Sequence, residues 1–130
     1  MKKFYVASSF QNIEAVRFVS EHLKNKGYVQ TYDWTKNKRA SHIKELKAIG
    51  QAEKKSVIEA DFLIVLLPAG KGSHIELGIA LGLGKKIFLY CLNNEVINFE
   101  TTSTFYHLSE VEIVIGTIDE LLNKVTNSIN

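Results

Sequence analysis

Phe62-Leu63-Ile64-Val65-Leu66-Leu67-Pro68-Ala69-Gly70-Lys71-Gly72-Ser73-His74-Ile75-Glu76-Leu77-Gly78 decides the architecture. Six consecutive apolar residues ending at a proline suit a strand covered on both faces, because a strand with one wet face alternates polar and apolar positions. Residues 68–72 are turn-forming, and residues 73–84 have the make-up of a short helix. The unit is therefore a buried strand, a glycine-rich loop and a helix.

Working toward the N-terminus, Ser41 heads a helix carrying Ile43, Leu46, Ile49, Val57 and Ile58, preceded by a polar loop over residues 33–40. Residues 28–32 form a β-like run. Ile13, Val16, Val19 and Leu23 recur at helical spacing up to Gly27, and residues 3–8 are apolar and β-rich. Toward the C-terminus, residues 87–91 give a fourth strand, 92–108 are irregular, and 112–115 give a fifth. Residues 117–127 close the chain as an amphipathic helix through Ile118, Leu121, Leu122 and Val125.

Strands alternating with helices predict parallel pairing, since parallel strands need crossovers. The expected fold is α/β, a flavodoxin-like or Rossmann-like doubly wound sheet of about five mainly parallel strands with helices on both faces. Residues 1–130 are expected to form one domain, which is what 130 residues can fill with one core. Ligands of such sheets sit at the carboxyl ends of the strands. That rule selects residues 8–12, 33–35, 68–76 and 92–104.

Composition narrows the function classes. A hydrophobic fraction of 45% with 23% charged residues is that of a globular protein. The net charge of +2 is spread along the chain, and its one cluster, Lys36, Lys38 and Arg39, reads as a solvated loop. No nucleic-acid polymer is expected as a partner. The lone Cys91 has no internal disulfide partner, and no Cys/His spacing suits a metal. No signal segment or membrane-length apolar run is present, so a cytoplasmic protein is expected.

Two readings of Glu76 compete. Ser73-His74-Ile75-Glu76 fits the capping box S-x-x-E, in which the glutamate bonds back to the serine backbone. Alternatively the carboxylate, in the first turn of a helix beside a glycine-rich loop, faces the crevice. The loop is neither a P-loop nor a dinucleotide fingerprint. Gly78 and Gly82, four apart, are expected to allow close helix–sheet packing, and His74 to lie exposed beside the site.

Three pieces of the chain resemble the nucleoside 2-deoxyribosyltransferase family, which includes the deoxynucleoside 5′-monophosphate N-glycosidases. They are Tyr5-Val6-Ala7-Ser8-Ser9-Phe10, the segment from Glu53 to Ala60-Asp61, and Gly72-Ser73-His74-Ile75-Glu76-Leu77-Gly78 with Ala80 and Gly84-Lys85-Lys86. The resemblance spans roughly Phe4 to Leu122. It implies cleavage or transfer at an N-glycosidic bond through a covalent glycosyl-enzyme on Glu76. Glu53, one methylene longer than the aspartate the family places there, would protonate the leaving base or orient the sugar, and Tyr5 would reach the carboxylate. Ser8, Ser9 and Phe10 would form the substrate loop; Gly70, Gly72 and Ser73 would line the site.

Asp33 and Trp34 follow the second strand at the crevice edge, and Trp34 either stacks on a base or packs under the loop. Asp61, at the far end of its strand, is structural. Where the monophosphate-cleaving branch carries an arginine, this chain has Gln11-Asn12, with Lys71 and Ser73 as the partial substitutes nearby. The resemblance also implies a homodimer or larger homo-oligomer, a nucleoside or nucleotide partner, and no metal or redox cofactor. Two other readings stay open: a non-catalytic nucleotide-binding or regulatory protein of the same fold, and a TIR-like NAD glycohydrolase.

Overall fold

A computed structural model describes residues 2–129. The elements run β1 (Lys3–Ala7), α1 (Ile13–Asn25), β2 (Val29–Gln30), α2 (Ile43–Glu59), β3 (Phe62–Leu66), α3 (Lys71–Gly82), β4 (Lys86–Cys91), β5 (Val111–Ile115) and α4 (Ile118–Ser128). Short 3-10 turns at Phe10–Asn12, Trp34–Lys36 and Thr104–His107 join them. The sheet order is β2-β1-β3-β4-β5, and every neighbouring pair is parallel. This is the flavodoxin-like doubly wound order, whose switch point lies between β1 and β3.

Every residue of β3 is buried, as its unbroken apolar run requires of the central strand. Phe4, Phe62 and Phe88 meet on one face, where Phe62 contacts both other rings at centroid distances of 6.1 and 6.0 Å. That face is covered by α1 and α4, and the opposite one by α2 and α3. Tyr5, one residue after Phe4, projects to the α2/α3 face because side chains alternate along a strand. No helix among the described residues is long and apolar enough to cross a membrane.

Helix ends follow local chemistry. After α1, Gly27 takes φ +96°, and the amides of Gly27 and Tyr28 bond back to Lys24 and Leu23. Gly84, at φ +68°, closes α3 in the same way through Leu81 and Ala80. Both are left-handed C-terminal caps that favour glycine. At α4, Thr117 and Glu120 form a reciprocal capping box. Thr117→Ala is expected to destabilise the protein by about 1 kcal/mol, read as a lower urea midpoint with unchanged slope.

Several local expectations are corrected. The second strand is two residues long, because after Thr31 the chain leaves the sheet edge for the Asp33 turn. Ser41 does not cap α2: the N-cap is His42, and the Ser41 hydroxyl donates to Glu45. The third helix begins at Lys71, with Gly70 as N-cap, so Ser73 lies inside it. Gly78 and Gly82 do not pack on the sheet, since a Cβ on either would meet nothing within 4 Å. Ile43 and Leu46 are exposed, so the apolar stripe at the start of α2 is not core.

Candidate active site

A cleft of about 390 Å³ opens at the carboxyl ends of β1 and β3, the switch point of the sheet. Four segments line it. The loop after β1 gives Ser8, Ser9 and Phe10; the segment after β2 gives Trp34 and residues 37–40; α2 gives Leu46, Ile49 and Glu53; the start of α3 gives Gly70, Gly72, Ser73 and Glu76. A larger, more open hollow of about 1050 Å³ lies between α1 and α4, and no buried carboxylate lines it.

Glu76 is 8% exposed and, because α3 starts at Lys71, lies in its second turn and not in the first as expected. Its Oε2 accepts a 2.5 Å hydrogen bond from the Tyr5 hydroxyl, 71 residues away in sequence. No side chain or backbone group among the described residues donates to Oε1, and no buried side-chain oxygen is left unpartnered, so this oxygen is open to the cleft. Burial pushes the Glu76 carboxyl up to about 7; the Tyr5 bond pulls it down and the nearby Glu53 charge pushes it up again. The Tyr5 hydroxyl, raised by burial and by the Glu76 charge, stays a proton donor. One carboxylate oxygen is thus held and the other is presented.

The capping-box reading of Glu76 is therefore replaced. Its carboxylate bonds to β1, and the Ser73 hydroxyl donates to the Ser8 carbonyl at 2.7 Å. Neither side chain caps α3, and the motif is satisfied instead at Thr117. Glu53 lies half-buried in the cleft wall, and burial raises its carboxyl. Two carboxyl groups with raised pKa in one cleft can divide acid and base roles between them.

The other predicted residues fall into two groups. The Ser8 hydroxyl donates to Leu66 and that of Ser9 to Pro68, while the Asn12 amide donates to both Ser8 Oγ and the Pro68 carbonyl. These bonds clamp the β1 loop to the glycine-rich loop, and Asn12 serves that clamp without making a side-chain cap on α1. Trp34 is buried beneath the cleft, its indole N–H on the Val6 carbonyl at 2.7 Å and its ring edge-on to the exposed Phe10. Asp33 is turned away. Its carboxylate caps the following 3-10 turn through Thr35 and borders the larger hollow.

His74 is exposed and bonds to Gly70 and to the Tyr106 hydroxyl. Asp61 ties the start of β3 to the Lys3 amide at 2.8 Å. Lys71 is not among the residues lining the cleft, whereas Lys38 and Arg39 are. The three cations of that loop are exposed, as a solvated loop requires, and two of them, Lys38 and Arg39, also border the cleft. Leu46 and Ile49 also line it, and the signal for them was an apolar stripe on α2 that the sheet does not use. Among the described residues no group of three or more His, Cys, Asp or Glu side chains is placed to hold a metal ion.

Comparison with known proteins agrees with this fold. The family model described as nucleoside 2-deoxyribosyltransferase matches residues 4–125. A Clostridium botulinum CMP N-glycosidase, BcmB, is similar in structure at 21% identity and TM-score 0.66, covering 96% of this chain and 99% of its own. A conserved protein from Enterococcus faecalis V583 is similar at 16% identity and TM-score 0.70, with 99% of each chain covered. The solution structure of BlsM is similar at 15% identity and TM-score 0.63, covering 99% of this chain and 94% of its own. These likenesses speak for the fold. No curated protein matches the sequence.

Proposed function

Because the chain belongs to the nucleoside 2-deoxyribosyltransferase family, we propose that it cleaves or transfers at the N-glycosidic bond of a nucleoside or nucleotide, with Glu76 as the nucleophile. The observation that carries this reading is the Tyr5–Glu76 pair in the switch-point cleft, with one carboxylate oxygen held and the other free.

Glu76 Oε1 attacks C1′ as the C1′–N bond breaks, and the bonding electrons leave with the base nitrogen. Glu53, carrying a proton, gives it to that nitrogen. Water or an acceptor base then attacks C1′, Glu53 takes up the proton, and Glu76 departs as carboxylate. Two displacements on one carbon retain configuration. Tyr5 orients the carboxylate and steadies its returning charge. Under the same reading the chain works as a homodimer or larger homo-oligomer, for which exposed Ile75, Leu83 and Phe105 offer apolar surface.

The test is chromatographic release of free base from paired nucleosides and 5′-monophosphates, CMP among them, and from NAD, each with and without an acceptor base. Release from a nucleoside or nucleotide is expected. Binding without release from any substrate would overturn the enzymatic reading, and release of nicotinamide from NAD alone would reassign the substrate.

A further inference from the structure

The reaction above leaves His74 unused, although it stands two residues before Glu76 on α3. Its ring bridges two elements. Nδ1 lies 2.8 Å from the carbonyl oxygen of Gly70, the N-cap of α3, and Nε2 lies 2.7 Å from the Tyr106 hydroxyl. A carbonyl only accepts, so Nδ1 carries the hydrogen, and in the neutral ring Nε2 accepts from Tyr106. The Tyr106 hydroxyl, pushed up by burial and then by Glu95 and Cys91, keeps its proton to donate. The two rings also stack, with centroids 5.9 Å apart and planes 30° from parallel.

The two ends of this bridge differ in stiffness. Gly70 and Gly72 line the cleft, and a Cβ on either would meet nothing within 4 Å, so no neighbour wedges them. No side chain caps the start of α3. On the β1 side this stretch is held by Ser73 on the Ser8 carbonyl, and by Ser9 and Asn12 on the Pro68 carbonyl. His74 ties it to the segment after β4. That segment is stitched to itself: Thr101 Oγ1 donates to the Glu95 carbonyl at 2.6 Å and Thr102 Oγ1 to the carbonyl of Val96, which is fully buried. Ser103 caps the turn over Thr104–His107 through the Phe105 amide, and Tyr106 is buried within it. A fixed anchor thus meets a glycine-rich loop with little stiffness of its own.

We propose that His74 is a positioning residue for the glycosidic reaction: bound to Tyr106, it fixes Gly70–Gly72 and the first turn of α3, and so sets where Glu76 stands relative to the sugar. This rests on the glycosidic reading of the cleft and deepens it. Tyr5 holds the carboxylate itself from β1, at 2.5 Å, whereas the Tyr106–His74 tie holds the helix that carries it. A reacting group misplaced by about 1 Å costs about 10²-fold in rate. Because Tyr5 still limits the displacement, loss of the tie costs less.

The experiment has two arms. In the first, kcat and KM are measured on the substrate that releases base, with wild type, Tyr106→Phe, His74→Asn and the double variant. Phenylalanine removes only the hydroxyl, and asparagine keeps a donor near Gly70 but is too short to meet Tyr106. Each single variant is expected to lower kcat by about 10-fold with KM within about 3-fold of wild type. The double variant should lose no more than either single one, because all three break one connection.

The second arm is independent of turnover. Amide hydrogen exchange is followed in the ligand-free wild type and Tyr106→Phe proteins. The amides of residues 74–77 are expected to exchange about 10-fold faster in the variant, with those of β1 and β3 unchanged. Unchanged exchange there, or wild-type kcat in both single variants with only a lower urea midpoint, would overturn the proposal and leave the glycosidic reading standing. Faster exchange in a protein that cleaves no substrate would keep the tie between Tyr106 and α3 and remove the glycosidic reading alone.

Discussion

Glu76→Gln is expected to lower kcat by about 10⁴-fold or more and, at the same time, to make the protein more stable above neutral pH. The first effect follows from removing the proposed nucleophile, since a neutral amide oxygen forms no useful ester with C1′. The second follows from burial. The carboxyl is pushed up to about 7 in the folded chain against 4.5 for a free glutamate, so between those values the folded state binds more protons than the unfolded state. Unfolding free energy therefore falls as pH rises through that window, by at most about 3 kcal/mol for a shift of this size. The stabilising contribution is fully present below the unfolded value and is lost as pH passes the folded one.

Glutamine keeps the acceptor for Tyr5 and has no charge to bury. Wild type and variant should have similar stability near pH 4, and the variant should be more stable at pH 8 by about 1–3 kcal/mol in urea unfolding. A variant less stable than wild type at pH 8 would mean that the ionised carboxylate holds the fold together, and its loss of activity would then say little about chemistry.

The second large effect belongs to Glu53. Glu53→Gln is expected to lower kcat/KM by about 10²-fold or more for bases that leave poorly without a proton. For an N-alkylated base that already carries positive charge, the loss should be small, because no proton is needed at the leaving nitrogen. Equal losses for both kinds of substrate would reduce Glu53 to a wall residue.

The two carboxyl groups influence each other, so wild type should show two macroscopic steps in its pH profile that belong to the pair. The active form has Glu76 ionised and Glu53 protonated, so activity should peak between the two steps. Glu53→Gln should remove the alkaline limb. The single rise that remains should report Glu76 alone, at a pH below its wild-type value, because the Glu53 charge that raises it is gone.

How far the sequence foretold all this depends on the range of each interaction. The unbroken run at Phe62–Leu66 identified a central strand because only burial on both faces tolerates it, and the alternation around it implied the parallel sheet. Gly27 marked a helix end because a left-handed cap is a local event. Ser73-His74-Ile75-Glu76 misled for the converse reason. A local pattern matched a cap, but a tyrosine 71 residues away claimed the glutamate.

Spacing along one chain could not show that contact, and resemblance to a family supplied the role proposed for Glu76. Nothing supplied the placement of Lys38 and Arg39. A short basic run looks the same on a solvated loop as on one folded over a cleft, and the difference lies in where the Trp34 indole anchors. Asp33 stood equally near the crevice in sequence, yet the turn it caps carries it to the other side.

The most direct test of the central claim is to trap the sugar on the enzyme. A 2′-fluorinated substrate, whose electron-withdrawing group slows hydrolysis of a glycosyl ester, would be incubated with wild type and with Glu53→Gln, then analysed by intact mass and peptide mapping. The account predicts one glycosyl adduct, on the peptide containing Glu76, absent from Glu76→Gln. Stoichiometric release of base with no adduct, or an adduct on another residue, would contradict it.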